Sequence, residues 1–194
     1  MENNKPACSW PKKDPLLIKY HDKEWGSPLH DDKKLFEFLV LEGFQAGLSW
    51  LTILRKRENF RKAFDGFDFN KVATYDRQKI NSLLEDSGII RNKLKIEGAV
   101  TNAKAFIEVI KEFRTFDTYI WNFTGNKPIH NGFESIKDIP ARTELSDLIS
   151  KDLKKRGFKF VGSTIVYAHM QATGMVNDHI KSCFRYKEII EKYG

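Results

Sequence analysis

Residues that bind soft metal ions stand at both ends of the chain. Cys8 and His21 lie near the start with twelve residues between them, and His179 and Cys183 lie near the end with three between. On a helix, His179 and Cys183 at i and i+4 face the same way and can share one ion. Two thiolates and two imidazoles complete a tetrahedral zinc shell with no open position, which is a structural and not a catalytic arrangement. The same residues also read as two buried cysteines and two unrelated histidines, because so long a gap between the pairs is no metal signature. With only Cys8 and Cys183 present, a disulfide is the weaker reading in a reducing compartment.

A second group lies in Leu41-Glu42-Gly43-Phe44-Gln45-Ala46-Gly47-Leu48-Ser49-Trp50. If the preceding helix continues, Glu42 shares a face with Phe38, Leu39 and Ala46, where a carboxylate is costly without a hydrogen bond or a cation. The alternative is a helix-end glutamate turned to solvent. The third group is aromatic: Trp10, Tyr20, Trp25 and Trp50 fall within the first fifty residues, interleaved with Cys8 and His21. Such faces stack on a nucleobase, more strongly on a cationic one, and equally suit an aromatic core beside a metal. A weaker signal runs from Leu83 to Lys93, where Ser87-Gly88 interrupts two helical patterns. The second pattern opens with Arg91, Lys93 and Lys95 and can offer backbone N–H groups to a phosphate.

Helices must position these side chains, since the periodicity is helical nearly throughout. Asp31 or Asp32 caps a helix carrying Leu35, Phe36, Leu39 and Val40; another runs from Ser49 towards Phe64; Asp76 caps a short one ending near Asp86. One apolar stripe joins Ile96, Ala99, Val100, Ala103, Phe106, Ile107 and Ile110 between Asn92 and Phe113. Thr118 to Phe123 is short and aromatic. Thr124 to Pro140 reads as irregular loop. Further helices run from Thr143 to Arg156 and from Ser163 to Gly174, with Gly157 and Gly174 as C-terminal stops. No useful β-alternation appears, so the expected class is all-α.

Composition narrows the partners. The 194 residues suffice for one domain, and 33 Lys plus Arg against 26 Asp plus Glu leave a charge of +7, which favours polyanions. No segment approaches the roughly 20 apolar residues needed to span a bilayer, and the first residues lack a signal-peptide core. The reading is therefore a cytoplasmic protein with no membrane partner.

Taken together, these strings resemble the 3-methyladenine DNA glycosylase I (Tag) family of the helix-hairpin-helix superfamily. The resemblance is carried by Cys8–Trp10, Tyr20–Gly26, Leu41–Trp50, Gly88–Arg91, Lys154–Gly162 and Val176–His179. It implies a helix-hairpin-helix glycosylase fold in a single domain, with the hairpin part at roughly 43–114. Segments 1–42 and 115–194 would be joined by one structural zinc on Cys8, His21, His179 and Cys183. It implies that Glu42, as the catalytic-site carboxylate, and Tyr20 hydrogen-bond an extruded base, with Trp50, Trp10 and Trp25 as stacking walls. Gly47 and Leu48 would meet the DNA, Leu48 filling the gap in the stack, while Gly88, Ile89, Ile90, Arg91 and Lys93 grip the phosphate backbone. Phe44, Leu17 and His169 depart from residues found in other members, which affects only the lining.

The expected activity is that of a monomeric, monofunctional hydrolase on double-stranded DNA containing 3-methyladenine. An ionised Glu42 and electron-rich walls suit a cationic base. A broader alkylpurine glycosylase, or a non-catalytic zinc-stabilised DNA-binding module, are the competing readings; the second has no use for Glu42, Tyr20 and Trp50 together.

Overall fold

Short polar side chains set where most helices begin in the structure, a computed structural model that describes residues 6–194. Residues 1–5, part of the stretch read for a signal peptide, lie outside it. Helix α1 (Pro15–Lys23) opens behind Asp14, whose carboxylate accepts from the N–H groups of Leu16 and Leu17. In the same way α2 (Asp32–Gln45) opens behind Asp31, α3 (Trp50–Ala63) behind Ser49, and the single turn α4 (Phe69–Val72) behind Asp68. Asp76 caps α5 (Arg77–Glu85), Asn92 caps α6 (Lys93–Phe113), and Thr115 caps α7 (Phe116–Asn122). Thr143 caps α8 (Glu144–Lys155). Each such bond satisfies an N–H that the first turn leaves open. Helices α9 (Ser163–Ala172) and α10 (Phe184–Tyr193) start without a side-chain cap.

The molecule is mostly helical, and the all-α expectation needs one amendment. Strand β1 (Ile129–His130), inside the stretch read as loop, pairs in parallel with β2 (Val176–Asn177). Two-residue strands are too short for alternation to reveal. Helices α1 and α10 were also not expected. Both are short, and Leu16, Ile18 and Ile190 remain exposed on them, so neither writes a full apolar stripe. Helix α7 begins at Phe116, two residues before the expected start.

Helix α2 lies between two apolar clusters. Every residue from Leu35 to Phe44 is buried, as expected of a helix that is apolar on all sides. Phe36, Phe44 and Val40 face the larger cluster, with Phe60, Phe64, Phe106 and Phe116. Phe38 faces a smaller one built from Cys8, Tyr20, Trp25, Leu54, Ala172 and Cys183. The second cluster joins the two chain ends, and both functional groups of residues lie within it or at its edge.

Candidate base pocket and metal centre

The four residues from the chain ends converge. Their donor atoms lie within 4.8 Å of one another, and all four side chains are buried. His21 Nε2 is 3.1 Å from His179 Nδ1, Cys183 Sγ is 3.5 Å from each of these nitrogens, and Cys8 Sγ is 3.7 Å from His179 Nδ1. A tetrahedral zinc with bonds of about 2.3 Å to sulfur and 2.0–2.1 Å to nitrogen requires separations of roughly 3.3 Å (N–N) and 3.6 Å (S–N). These four separations match that shape. Each imidazole is also held from behind: His179 Nε2 donates to the Trp25 carbonyl at 3.0 Å, and His21 Nδ1 meets Asp22 at 2.7 Å. Such partners fix the ring so that the other nitrogen faces an ion.

His179 and Cys183 do not share a helix, contrary to the expectation from their spacing. His179 follows β2 in a bend, and Cys183 is the residue before α10. The turn between them does the work instead, with Cys183 N–H donating to Ile180 O at 2.8 Å. Gly26 closes the approach from the other side: it has φ +74°, and a Cβ there would lie 3.0 Å from the His179 ring.

The aromatic residues hang from this cluster. Trp10 follows Cys8 by two positions, Tyr20 precedes His21, and Trp25 supplies the carbonyl under His179. Trp10 and Trp25 meet edge to face with ring centres 5.1 Å apart, and Tyr20 and Trp50 are 5.3 Å apart. Together with Glu42, Gln45, Ile136, Ile139, Ala168 and Gln171 they line a cavity of about 310 Å³. A larger cleft of about 590 Å³ also touches Tyr20, but its arginines, Arg57 and Arg61, are already paired with carboxylates.

The smaller cavity contains unsatisfied groups. Glu42 Oε2, Trp10 Nε1 and Trp50 Nε1 are all buried and have no hydrogen-bond partner among the described residues. Glu42 is 3% exposed, which removes the reading of a solvent-facing helix end. Its neighbour on α2 shows the contrast: Glu37, equally buried, receives Arg57 at 2.6 Å and Arg61 at 2.8 Å. With no such cation near it, burial pushes the Glu42 carboxyl up to about 8. Burial alone therefore favours the neutral acid at neutral pH, where the sequence reading has Glu42 ionised. Burial, with the charges of Glu42 and Glu24, also holds the Tyr20 phenol well above its usual range, so it stays a donor.

Beyond α2 the chain turns at Gly47, which takes φ +81° and stands in open space. Leu48 follows it and is 42% exposed, an apolar side chain standing at the mouth of a turn. The α5–α6 connection lies close by. Lys95, in the first turn of α6, is buried and donates from Nζ to Phe44 O at 2.9 Å and Ala46 O at 2.6 Å. It thereby ties the α6 start to the end of α2, and burial lowers its affinity for a proton. Arg91 and Lys93 are exposed. Ile89 is not: its side chain is in the core, and its N–H, like that of Gly88, bonds back to Asp86. Sequence reasoning overlooked Gln171, Ala168, Ile136 and Ile139 in the lining, since they come from segments with no chemical pattern of their own.

The methyladenine glycosylase family matches residues 10–186. DNA-3-methyladenine glycosylase 1 of Escherichia coli (strain K12) is 48% identical over 179 residues, covering 92% of this chain and 96% of the relative. A crystal structure of 3-methyladenine DNA glycosylase I superposes with a TM-score of 0.90 at 47% identity, over 92% of this chain and 98% of that one. A variant of such an enzyme in complex with 3-methyladenine gives 0.89 at 36% identity, over 92% and 96%. The family match spans the residues that line the aromatic cavity and three of the four cluster residues, His21, His179 and Cys183, and the chain belongs to the methyladenine glycosylase family.

Proposed function

We propose that this protein is a DNA-3-methyladenine glycosylase, which takes the damaged nucleotide out of the duplex and hydrolyses its N-glycosidic bond. The carrying observation is the cavity walled by Trp10, Tyr20, Trp25 and Trp50, in which Glu42 Oε2 and two indole N–H groups have no partner among the described residues. A buried polar atom without a partner costs about 1–3 kcal/mol. Three in one cavity mark a place where a ligand supplies the missing bonds. A purine has ring nitrogens for the indole donors, an amino group for the carboxyl, and a face for the rings.

Chemistry at the sugar needs little help. Methylation at N3 makes the base cationic in DNA, so it leaves as a neutral molecule without an acid to protonate it. The cation also draws Glu42 into its ionised form, and the pair then shares the cost of burial. Normal adenine, neutral and well stacked, earns neither interaction. Water accepts the sugar carbon. Among the described residues Lys95 is the one buried lysine, and its commitment to two carbonyls keeps it from a lyase step.

The DNA face is assigned to the Gly47–Leu48 turn as the wedge and to the start of α6 as the phosphate grip. Because the N–H groups of Gly88 and Ile89 are used internally, the grip falls to the N–H groups of Ile90, Arg91 and Lys93 with the Arg91 and Lys93 side chains. Cys8, His21, His179 and Cys183 would hold one zinc in a closed shell. Bound there, it supplies structure and no open coordination position. The test is incubation with methylated duplex DNA and identification of the released bases by mass. Release of 3-methyladenine, with the strand left uncut at the abasic site, supports the assignment; no released base refutes it.

A further inference from the structure

We propose that Gln171 reads the amino edge of the extruded base and so separates adenine lesions from guanine lesions, a role that rests on the glycosylase assignment above. Gln171 lies in the last turn of α9 and lines the cavity with Ala168, three residues earlier on the same helix face. What distinguishes it is how its amide is held. Nε2 donates to Asp178 Oδ2 at 2.8 Å. The same oxygen accepts from the Tyr167 hydroxyl at 2.6 Å, and Oδ1 accepts from Asn131 Nδ2 at 2.6 Å. Asp178 is fully buried, and a carboxylate surrounded by three donors only accepts. Turning the amide over would set its oxygen against that carboxylate. The nitrogen is therefore committed to Asp178, and Oε1 is left with no donor among the described residues. The backbone is held too, since Gln171 O accepts from Gly26 N–H at 2.9 Å.

A fixed acceptor distinguishes the two purines. Position 6 carries an amino donor on adenine and a carbonyl acceptor on guanine, so the same oxygen attracts one and repels the other. The indoles at the cavity only donate, and neither of the other two side chains with a carbonyl or carboxyl oxygen has this rigidity. Glu42 can donate as the acid or accept as the anion, and no hydrogen bond among the described residues sets the orientation of the Gln45 amide. Discrimination at this edge falls to the one acceptor whose orientation is set.

Alkylated duplex DNA carries 3-methyladenine and 3-methylguanine together, and both released bases can be counted by mass in one reaction. The ratio of their initial rates cancels the folded fraction and the affinity for DNA. Gln171→Met keeps the length and removes the amide, and is expected to lower the adenine-to-guanine ratio about tenfold, the scale of one hydrogen bond. Asp178→Asn lets the amide turn and is expected to lower the ratio in the same direction. A ratio for Gln171→Met within twofold of the parent's overturns the proposal. A parent that releases no 3-methyladenine removes instead the function on which it rests.

Discussion

Glu42 and Glu37 sit five residues apart on one buried helix, and only Glu37 has arginines beside it. The difference has a consequence for stability. Glu42 keeps its proton in the native state up to about pH 8, whereas the unfolded chain releases it near 4.5. Between those values the native state binds more protons, so its stability falls as pH rises, and the loss is complete above the native pKa. Glu42→Gln removes this dependence. The variant should therefore gain stability over the parent from pH 5 to pH 8, by up to about 3–5 kcal/mol at 1.36 kcal/mol per pKa unit. Denaturant titrations of both proteins across that range check it; a constant gap would show that Glu42 is already ionised when the pocket is empty. The sequence showed a carboxylate on an apolar face but left its environment open. Arg57 and Arg61 come from the next helix, and nothing in the spacing says that they reach Glu37 and not Glu42.

Elements with strong caps and long stripes, α2, α3, α5, α6 and α8, were legible within a residue or two. Asp31, Ser49, Asp76, Asn92 and Thr143 announce them and their apolar faces are continuous. The geometry of His179 and Cys183 was not legible, because a four-residue spacing is shared by a helix and by the turn that is found. The junction between α2 and α6 was equally hidden, as it depends on a lysine bonding carbonyls about fifty residues away. Lys95→Met should cost about 1.5–3 kcal/mol, the worth of hydrogen bonds to a charged group. By loosening the Gly47–Leu48 turn, proposed as the wedge, from the start of α6, it should lower excision at least tenfold while affinity for undamaged duplex changes less than twofold. Parallel binding and excision assays separate these effects, and an equal fall in both would make Lys95 a simple stability residue.

The chain ends close one face of the protein, and the pocket is hung on that closure through Trp10, Tyr20 and Trp25. With zinc held there as proposed, Cys8→Ser should lose it and lower the melting temperature by about 10 °C, at 2–4 °C per kcal/mol for a chain of this size. It should also weaken base binding. Unchanged affinity for the free base in a metal-free protein would detach the two sites. The charge of +7 adds a long-range term. If four to six phosphates are contacted, log affinity for an abasic-site duplex should fall against log salt with a slope of roughly −4 to −5. A slope near zero would remove the basic binding face.

That unsatisfied polar atoms in the aromatic cavity recognise the damaged base is tested most directly by calorimetric titration with free 3-methyladenine. The parent should bind one equivalent per chain, and Glu42→Gln should bind about 2- to 10-fold more weakly with unchanged metal content, since the free base and the Glu42 acid are both neutral and a hydrogen bond between neutral groups is worth about 0.5–1.5 kcal/mol. Equal affinity in the two proteins would contradict the account, leaving Glu42 a buried carboxyl with no part in recognition.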